Sequence, residues 1–346
     1  MTDPMNLAFV LDPLERLDPT GDTSIALIEA AQRRGHDSWI TDFTTLALVD
    51  GRAHASVRAI SLAEGHMEHT KWIAPEPWFR LGPRPGGWRD LGEMDAVFVR
   101  TDPPVDRRYL SATYILDGVD PARTTMVNEP RGVRNANEKL FPLRFPDLVP
   151  PTLVSSDAEG IRRFVKRHGR AVAKPIDGHA GWGAVQLRSD DSNLRSLVEL
   201  VTDRGAHPTV VQAWAKAATE GNKRIILFDG EILGAVNRVI EADDFRTGAP
   251  CALAPITERD HEIVERLRPV LGMEGLRLVG LDVIGDYLIE VNVTSPGGIR
   301  QAEGLGLNGI AGRLIERLED ARRRANGSRV RVKRVHDAGE LRQLTI

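Results

Sequence analysis

The sequence predicts an α/β protein of more than one domain, and three observations carry that prediction. Its 346 residues exceed an average domain of about 100 to 200 residues, which points to two or three. The first 130 residues alternate short apolar runs with helical spacing, the grammar of βαβ units. Further along, apolar runs flank glycine-bearing turns, the pattern of antiparallel hairpins.

In the N-terminal unit, Leu7 to Leu11 reads as a strand, Ser24 to Arg34 as a helix and Ser38 to Thr41 as a second strand. Asp22, Thr23 or Ser24 can cap the helix, Arg33 and Arg34 suit its last turn, and Gly35 suits the residue beyond it. A Pro-, Gly- and Trp-rich stretch, Trp72 to Arg89, reads as a long surface excursion before the strands Ala96 to Arg100 and Thr125 to Asn128. From Asn137 a second unit holds the strand Arg170 to Lys174, a glycine-rich turn, and Ala184 to Leu187 as the returning strand. A third, from near Thr209, holds the apolar runs Val210 to Gln212, Ile225 to Phe228, Ile232 to Asn237 and the pair Leu276 to Ile284 with Tyr287 to Thr294. Thr257 to Leu271 and Leu314 to Arg324 have helical spacing, and the last twenty residues, with Arg329, Arg331, Lys333 and Arg334 among valines, read as an extra strand or a solvated tail.

Composition narrows the function. Charged residues at 27% and apolar ones at 41% are those of a globular protein. A net charge of −3 argues against a general nucleic-acid binder. The single cysteine, Cys251, permits neither an intramolecular disulfide nor a cysteine zinc cage, and it reads as an inert small residue in a reducing, cytoplasmic protein. Neither a signal peptide nor an apolar run of membrane-spanning length is visible, so no membrane partner is expected.

The sharpest chemical signal lies in the stretch Gly280 to Ser295. Glu290 and Asn292 are two apart on an extended run and leave one face of the sheet as hard oxygen donors, which suits Mg²⁺ (or Mn²⁺) carrying waters and phosphate oxygens. Asp282 joins them if the turn at Gly285 has three residues, which pairs 282 with 290; a two-residue turn puts it on the other face. These polar residues can also merely decorate a wet face, yet an Asn between two valines in a strand runs against propensity.

A second signal runs from Ala173 to Gly183, where a strand delivers Lys174 to a loop containing Asp177, Gly178, Gly181 and Gly183. Bare backbone N–H groups there can approach phosphate closely, although glycines also make ordinary hairpins. A third is a set of cations, Lys139, Lys223, Arg224, Arg238 and Arg246, able to converge on a triphosphate or to remain a solvated face. The sequence lacks a P-loop, and Asp12-Pro13 stands where a dinucleotide fold has its glycine turn. His66 and His69 lack ligand partners in pattern and read as surface histidines, and no serine-hydrolase or zinc-protease motif is present.

Taken together, these stretches resemble the prokaryotic glutathione synthetases among the ATP-grasp carboxylate-amine ligases. The likeness rests on Asp12-Pro13, Arg100-Thr-Asp-Pro-Pro104, Ala112-Thr-Tyr-Ile-Leu116, Asn128-x-Pro130, Asn137-Glu-Lys-Leu-Phe141, Lys174-Pro-Ile-Asp-Gly178, Lys223-Arg224, Val279 to Asp286, Glu290 to Pro296 and Ile299-Arg300. It implies an ATP-grasp fold with an N-terminal substrate domain (1–127), a small lid domain (128–212), a large domain with the metal site (213–325) and a C-terminal extension (326–346). It further implies ATP contacts from Lys139, Lys174, Asp177, Gly178, Gly181, Gly183, Lys223 and the hinge Gln212, Ala213, Trp214 to Ala215. Arg224 and Arg238 would face the transferred phosphoryl group, with Arg246 also in the catalytic set. Arg100, Thr294, Ser295, Pro296 and Arg300 would hold the carboxylate, and Asp282, Glu290 and Asn292 the metal. Homo-oligomerisation is the family habit.

One segment departs from the family. Where its members carry Arg-Gly-Asn and a later Gly-Gly pair in a mobile loop, this chain reads Ile240 to Ile256 with Arg246 and Gly248 but no such asparagine or glycine pair, and with two prolines. Three readings follow: joining of γ-glutamylcysteine to glycine, joining of a different carboxylate and amine, or nucleotide binding without catalysis.

Overall fold

The computed structural model describes residues 3–83, 86–240 and 244–324. The basic stretch with Arg329 to Arg334, and with it the whole extension 326–346, lies outside the described residues.

The N-terminal unit is built on a six-stranded sheet in the order Thr125–Val127, Ala96–Val99, Asn6–Val10, Asp37–Thr41, Arg58–Leu62, Phe79–Leu81. Its first four strands are parallel and its last two join antiparallel. Asn6–Val10 is buried on both faces, as its unbroken apolar run requires. The helix Thr23–Arg33 that links the first two parallel strands starts at Asp22, whose side chain accepts from the Ile25 amide.

The Trp72 to Arg89 stretch is only in part a surface excursion: residues 75–77 and 86–88 are exposed, but two of its segments are strands. Lys71–Ile73 closes a hairpin with His66–Glu68, and Phe79–Leu81 extends the main sheet. Trp72 is fully buried, its indole N–H donates to Glu29 at 2.9 Å, and Arg300 stacks on its ring at 4.6 Å. Trp72 and Trp78 are core residues while Trp88 is exposed, and Trp72 can be buried because its polar tip has an acceptor.

A four-stranded antiparallel sheet follows, ordered Thr152–Ser155, Thr209–Ala213, Arg170–Pro175, Val185–Arg188. The run 210–212, read from the sequence as opening the third unit, therefore belongs to the second. The third sheet is five-stranded and antiparallel: Thr247–Leu253, Glu231–Ile240, Asn222–Phe228, Leu278–Ile284, Tyr287–Asn292. The helix Glu258–Met273 backs it, opened by a capping box between Thr257 and Asp260.

Two polar links bind the units. Asn128 donates to the Leu278 and Val293 carbonyls and accepts from the Arg277 and Leu278 amides, so a side chain from the end of the first unit is bonded to both strands of the last hairpin. A helix at 310–324 returns to the first unit through Glu319, which accepts from Arg34 at 2.7 Å and lies 2.8 Å from His36 Nε2. The Arg34 hydrogen bonds, with His36 adding to them against desolvation, hold the Glu319 pKa at about 2 against an ordinary 4.5. A carboxylate with a depressed folded pKa stabilises above its unfolded value and loses that contribution as pH falls through the folded one. Acid titration followed by far-UV circular dichroism is expected to show stability lost between about pH 4.5 and 2 that Glu319→Gln lacks.

Candidate active site

One ladder row of the third sheet supplies the site's central charges. Arg224 lies opposite Asp282, and Asp282 lies opposite Glu290, so the three leave the same face of adjacent strands. The pairing of 282 with 290 arises by a different route from the three-residue turn read from the sequence. The turn has two residues, Gly285 and Asp286, between the paired Ile284 and Tyr287. A bulge between Asp282 and Val283 leaves Ile289 as the extra residue on the partner strand and restores Asp282 to the face of Glu290. Gly280, on that face too, makes room for arginine: a Cβ there would lie 3.0 Å from Arg224 Cδ.

Asp282 is buried and receives Arg224 through Nε at 2.6 Å and Nη2 at 3.1 Å, with Arg238 Nη2 also 2.7 Å away. Burial alone raises a carboxyl pKa, but the two guanidinium groups hold this one well below the ordinary range. Arg238 comes from across the sheet, opposite Asn222. Its Nη2 is taken by Asp282, while its Nε is buried without a hydrogen-bond acceptor among the described residues, a donor left for an anion.

Lys139 lies 3.0 Å from Glu290 and also donates to the Gly178 carbonyl. Lys174 donates to Gln212 Oε1 at 2.9 Å, and burial lowers its pKa, with Glu290 opposing and Lys139 reinforcing the shift. Asn292 Nδ2 donates to the Gly280 carbonyl at 3.0 Å, which leaves its Oδ1 as the available oxygen donor. Together these side chains enclose a cavity of about 370 Å³ between the second and third sheets. The glycine-rich loop and the 244–248 segment meet over it, since a Cβ on Gly181 would lie 3.1 Å from Arg246 Cδ.

Of the residues singled out from the sequence, Lys139, Lys174, Gly178, Gly181, Gln212, Ala213, Trp214, Arg224, Arg238, Arg246, Asp282, Glu290 and Asn292 line this cavity. Asp177 lines a smaller one next to it, and Gly183 shapes the loop at φ +72° beside Pro175 rather than facing the cavity. Lys223 leaves the opposite face of its strand, one residue from Arg224, and bonds to buried Asp260 at 2.6 Å. Lys223→Met is therefore expected to leave the nucleotide KM within about twofold while costing up to about 3 kcal/mol in urea unfolding, because it strands a buried carboxylate.

The residues expected at the carboxylate substrate are not in the cavity. Arg300 is buried against Glu29 and Trp72. Arg100 is buried too, donating to Ser24 Oγ at 3.2 Å and to the Pro296 carbonyl at 3.1 Å, while Ser295 Oγ donates back to its carbonyl. Thr294 donates through both its amide and its hydroxyl to Glu138 Oε1. These groups form the buried joint between the first unit and the last hairpin.

Sequence reading missed Glu138 and Asn222. Glu138 anchors the Val293 and Thr294 amides, and burial, with Glu290 adding to it, raises its pKa; its position between two residues already singled out was the available signal. Asn222 carries a buried Oδ1 without a partner among the described residues and lines the cavity two places before Arg224 on the same face. Among the described residues no three His, Cys, Asp or Glu cluster as a metal cage. The donor set is two carboxylates and an amide, sufficient for a hard cation that keeps waters and phosphate oxygens. No helix among the described residues is long and apolar enough to cross a membrane.

Comparison with known proteins bears on this geometry. The family model of the prokaryotic glutathione synthetase N-terminal domain matches residues 5–134, and that of its ATP-grasp domain matches residues 138–306. A glutathione synthetase of Thermosynechococcus vestitus is 47% identical over 87% of this chain and 95% of its own length, and one of Nostoc sp. 45% over 91% and 98%. In fold the chain is similar to the ATP-grasp ligase PsnB with its minimal precursor (TM-score 0.61, 21% identity, 91% of this chain and 98% of that one). It is likewise similar to the D-cycloserine synthetase DcsG (TM-score 0.61, 17% identity, 90% and 99%).

Proposed function

Because the chain belongs to the prokaryotic glutathione synthetase family, we propose that it joins γ-glutamylcysteine to glycine at the expense of ATP, releasing ADP and phosphate. The carrying observation is the convergence of Lys139, Lys174, Arg224 and Arg238 on one cavity that Glu290 and Asn292 also line. An anion of high charge with its own hard cation is what such a wall accepts.

A carboxylate is a poor acyl donor, so activation comes first. Its oxygen attacks the γ-phosphorus of ATP, the bond from that phosphorus to the β–γ bridging oxygen breaks, and ADP leaves. The amine nitrogen then attacks the acyl carbon, the C–O bond to phosphate breaks, and the amine proton is lost to solvent. The protein has little covalent work in this sequence. Arg224 and Arg238 neutralise charge on the moving phosphoryl group, and Lys139 and Lys174 hold the nucleotide phosphates. Mg²⁺, held by Glu290 and Asn292 with Asp282 behind them, would neutralise phosphate charge when bound. Closure of the 178–183 and 244–248 segments over the cavity would keep water from the acyl phosphate.

Incubation with γ-glutamylcysteine, glycine, ATP and Mg²⁺ is the test; ADP release no greater than without glycine and dipeptide would defeat the proposal. The altered 240–256 segment favours a second reading, a different carboxylate and amine, and a panel of donors and acceptors scored by phosphate release separates the two. A cytoplasmic homo-oligomer completes the proposal, its assembly state to be read by light scattering.

A further inference from the structure

Arg300 is held to Glu29 through Nη1 and lies over the Trp72 ring at 4.6 Å, and its side chain is only 3% exposed. Its Nε and Nη2 are nevertheless buried without a hydrogen-bond acceptor among the described residues. Those two nitrogens carry the N–H groups of one guanidinium edge, the pair that meets a carboxylate or phosphate with two parallel hydrogen bonds. Buried donors left unbonded cost stability unless something else bonds to them.

Arg300 lines a cavity of about 260 Å³ between the helix Thr23–Arg33, the hairpin that holds Trp72 and the start of the helix at 310–324. This cavity shares no lining residue with the nucleotide cavity or with the smaller one beside Asp177. Its ionised groups other than that edge are engaged. Glu29 accepts from Arg33 and from the Trp72 indole as well as from Arg300. Arg34 is taken by Glu319, and Glu303 accepts from the Ala311 amide.

Two features of the cavity therefore point to a negative charge. One is the unbonded edge of a buried arginine, and the other is the amino end of the helix at 310–324, which enters the wall through Asn308, Gly309 and Gly312 and carries the positive end of its dipole. The rest of the wall is apolar, with Ala26, Ala30, Met67 and Trp72. The volume is below the roughly 300 to 1,000 Å³ of pockets for drug-sized ligands, so it suits an anion with a body of a few carbons.

We infer that this cavity binds a small carboxylic acid, its carboxylate on the Nε–Nη2 edge of Arg300 beside the helix start and its short apolar body along Met67 and Trp72. Arg300 thus uses one side for Glu29 and the other for the ligand. The bound acid joins the first unit to the helix at 310–324 at a place separate from the nucleotide, so it acts as an effector and is not consumed.

Calorimetry and thermal melting with butyrate, acetate and inorganic phosphate test it. Butyrate is expected to bind the wild type saturably and to raise its melting midpoint, and acetate to bind severalfold more weakly because it leaves the apolar wall uncovered. Arg300→Lys keeps the charge but not the paired edge, and is expected to weaken butyrate by about tenfold or more. Gly312→Leu serves if that variant does not fold: a Cβ there meets nothing within 4 Å, and leucine is the better helix former. Its side chain fills the cavity, so butyrate binding should be lost while the rise in melting midpoint with ATP stays as in the wild type. A wild type that binds no butyrate saturably, one that binds phosphate more tightly than butyrate, or a Gly312→Leu variant that binds butyrate as the wild type does overturns the site.

Discussion

Replacing Glu290 with Gln is expected to lower kcat by about 10³-fold without moving the thermal midpoint beyond a few degrees. The substitution keeps the side chain's shape and its place opposite Asp282 while removing the charge that faces Lys139 at 3.0 Å and that a hard cation would need. The variant should still bind nucleotide, since Lys174, Arg224 and Arg238 are untouched. ADP release under saturating substrates, read beside a melting curve, checks it. Undiminished turnover would strike Glu290 from the metal site and leave Asp282 as its remaining carboxylate.

Arg224→Leu should be the most damaging change at the site, because it fails twice. It removes a phosphoryl-facing cation and leaves the buried Asp282 carboxylate with Arg238 as its remaining charged contact. Breaking one side of a buried pair costs about 3 to 5 kcal/mol, readable as a fall in the urea midpoint, and turnover should drop below detection. The double variant Arg224→Leu with Asp282→Asn separates the two effects. Stability should return in part, since the buried carboxylate is neutralised and the cation left without it, Arg238, is partly exposed, while activity should not. A stable double variant with near-normal turnover would reduce the pair to a structural clamp.

Much of this was legible in the chain, and what was not has identifiable causes. The strand and helix at the N-terminus follow from an apolar run and a capped amphipathic stretch, and Asp22 as the cap needed only local reading. Glu290 and Asn292 announced themselves because two polar side chains in an apolar strand have few reasons to be there. The buried stretch around Trp72 was illegible because its burial depends on Glu29, far away in sequence, accepting the indole proton. Lys223 and Arg224 look alike as neighbours, and only the sheet's alternation assigns one to Asp260 and the other to Asp282. Arg300 likewise carries nothing local that distinguishes a ligand-facing guanidinium from one held against Glu29.

The bulge that leaves Ile289 unpaired sets a length rule for the hairpin. With a two-residue turn, Asp282 shares a face with Glu290 only because Ile289 is bulged out, so losing that one residue would straighten the ladder and leave the pair in place, while keeping it without the bulge would turn Asp282 away. A paired compensation, one residue lost from the bulge and one gained in the turn, would preserve the site. Val283 and Leu288 within that stretch are core residues and Gly285 turns at positive φ, so what descendants of this chain can vary there is how its residues divide between bulge and turn.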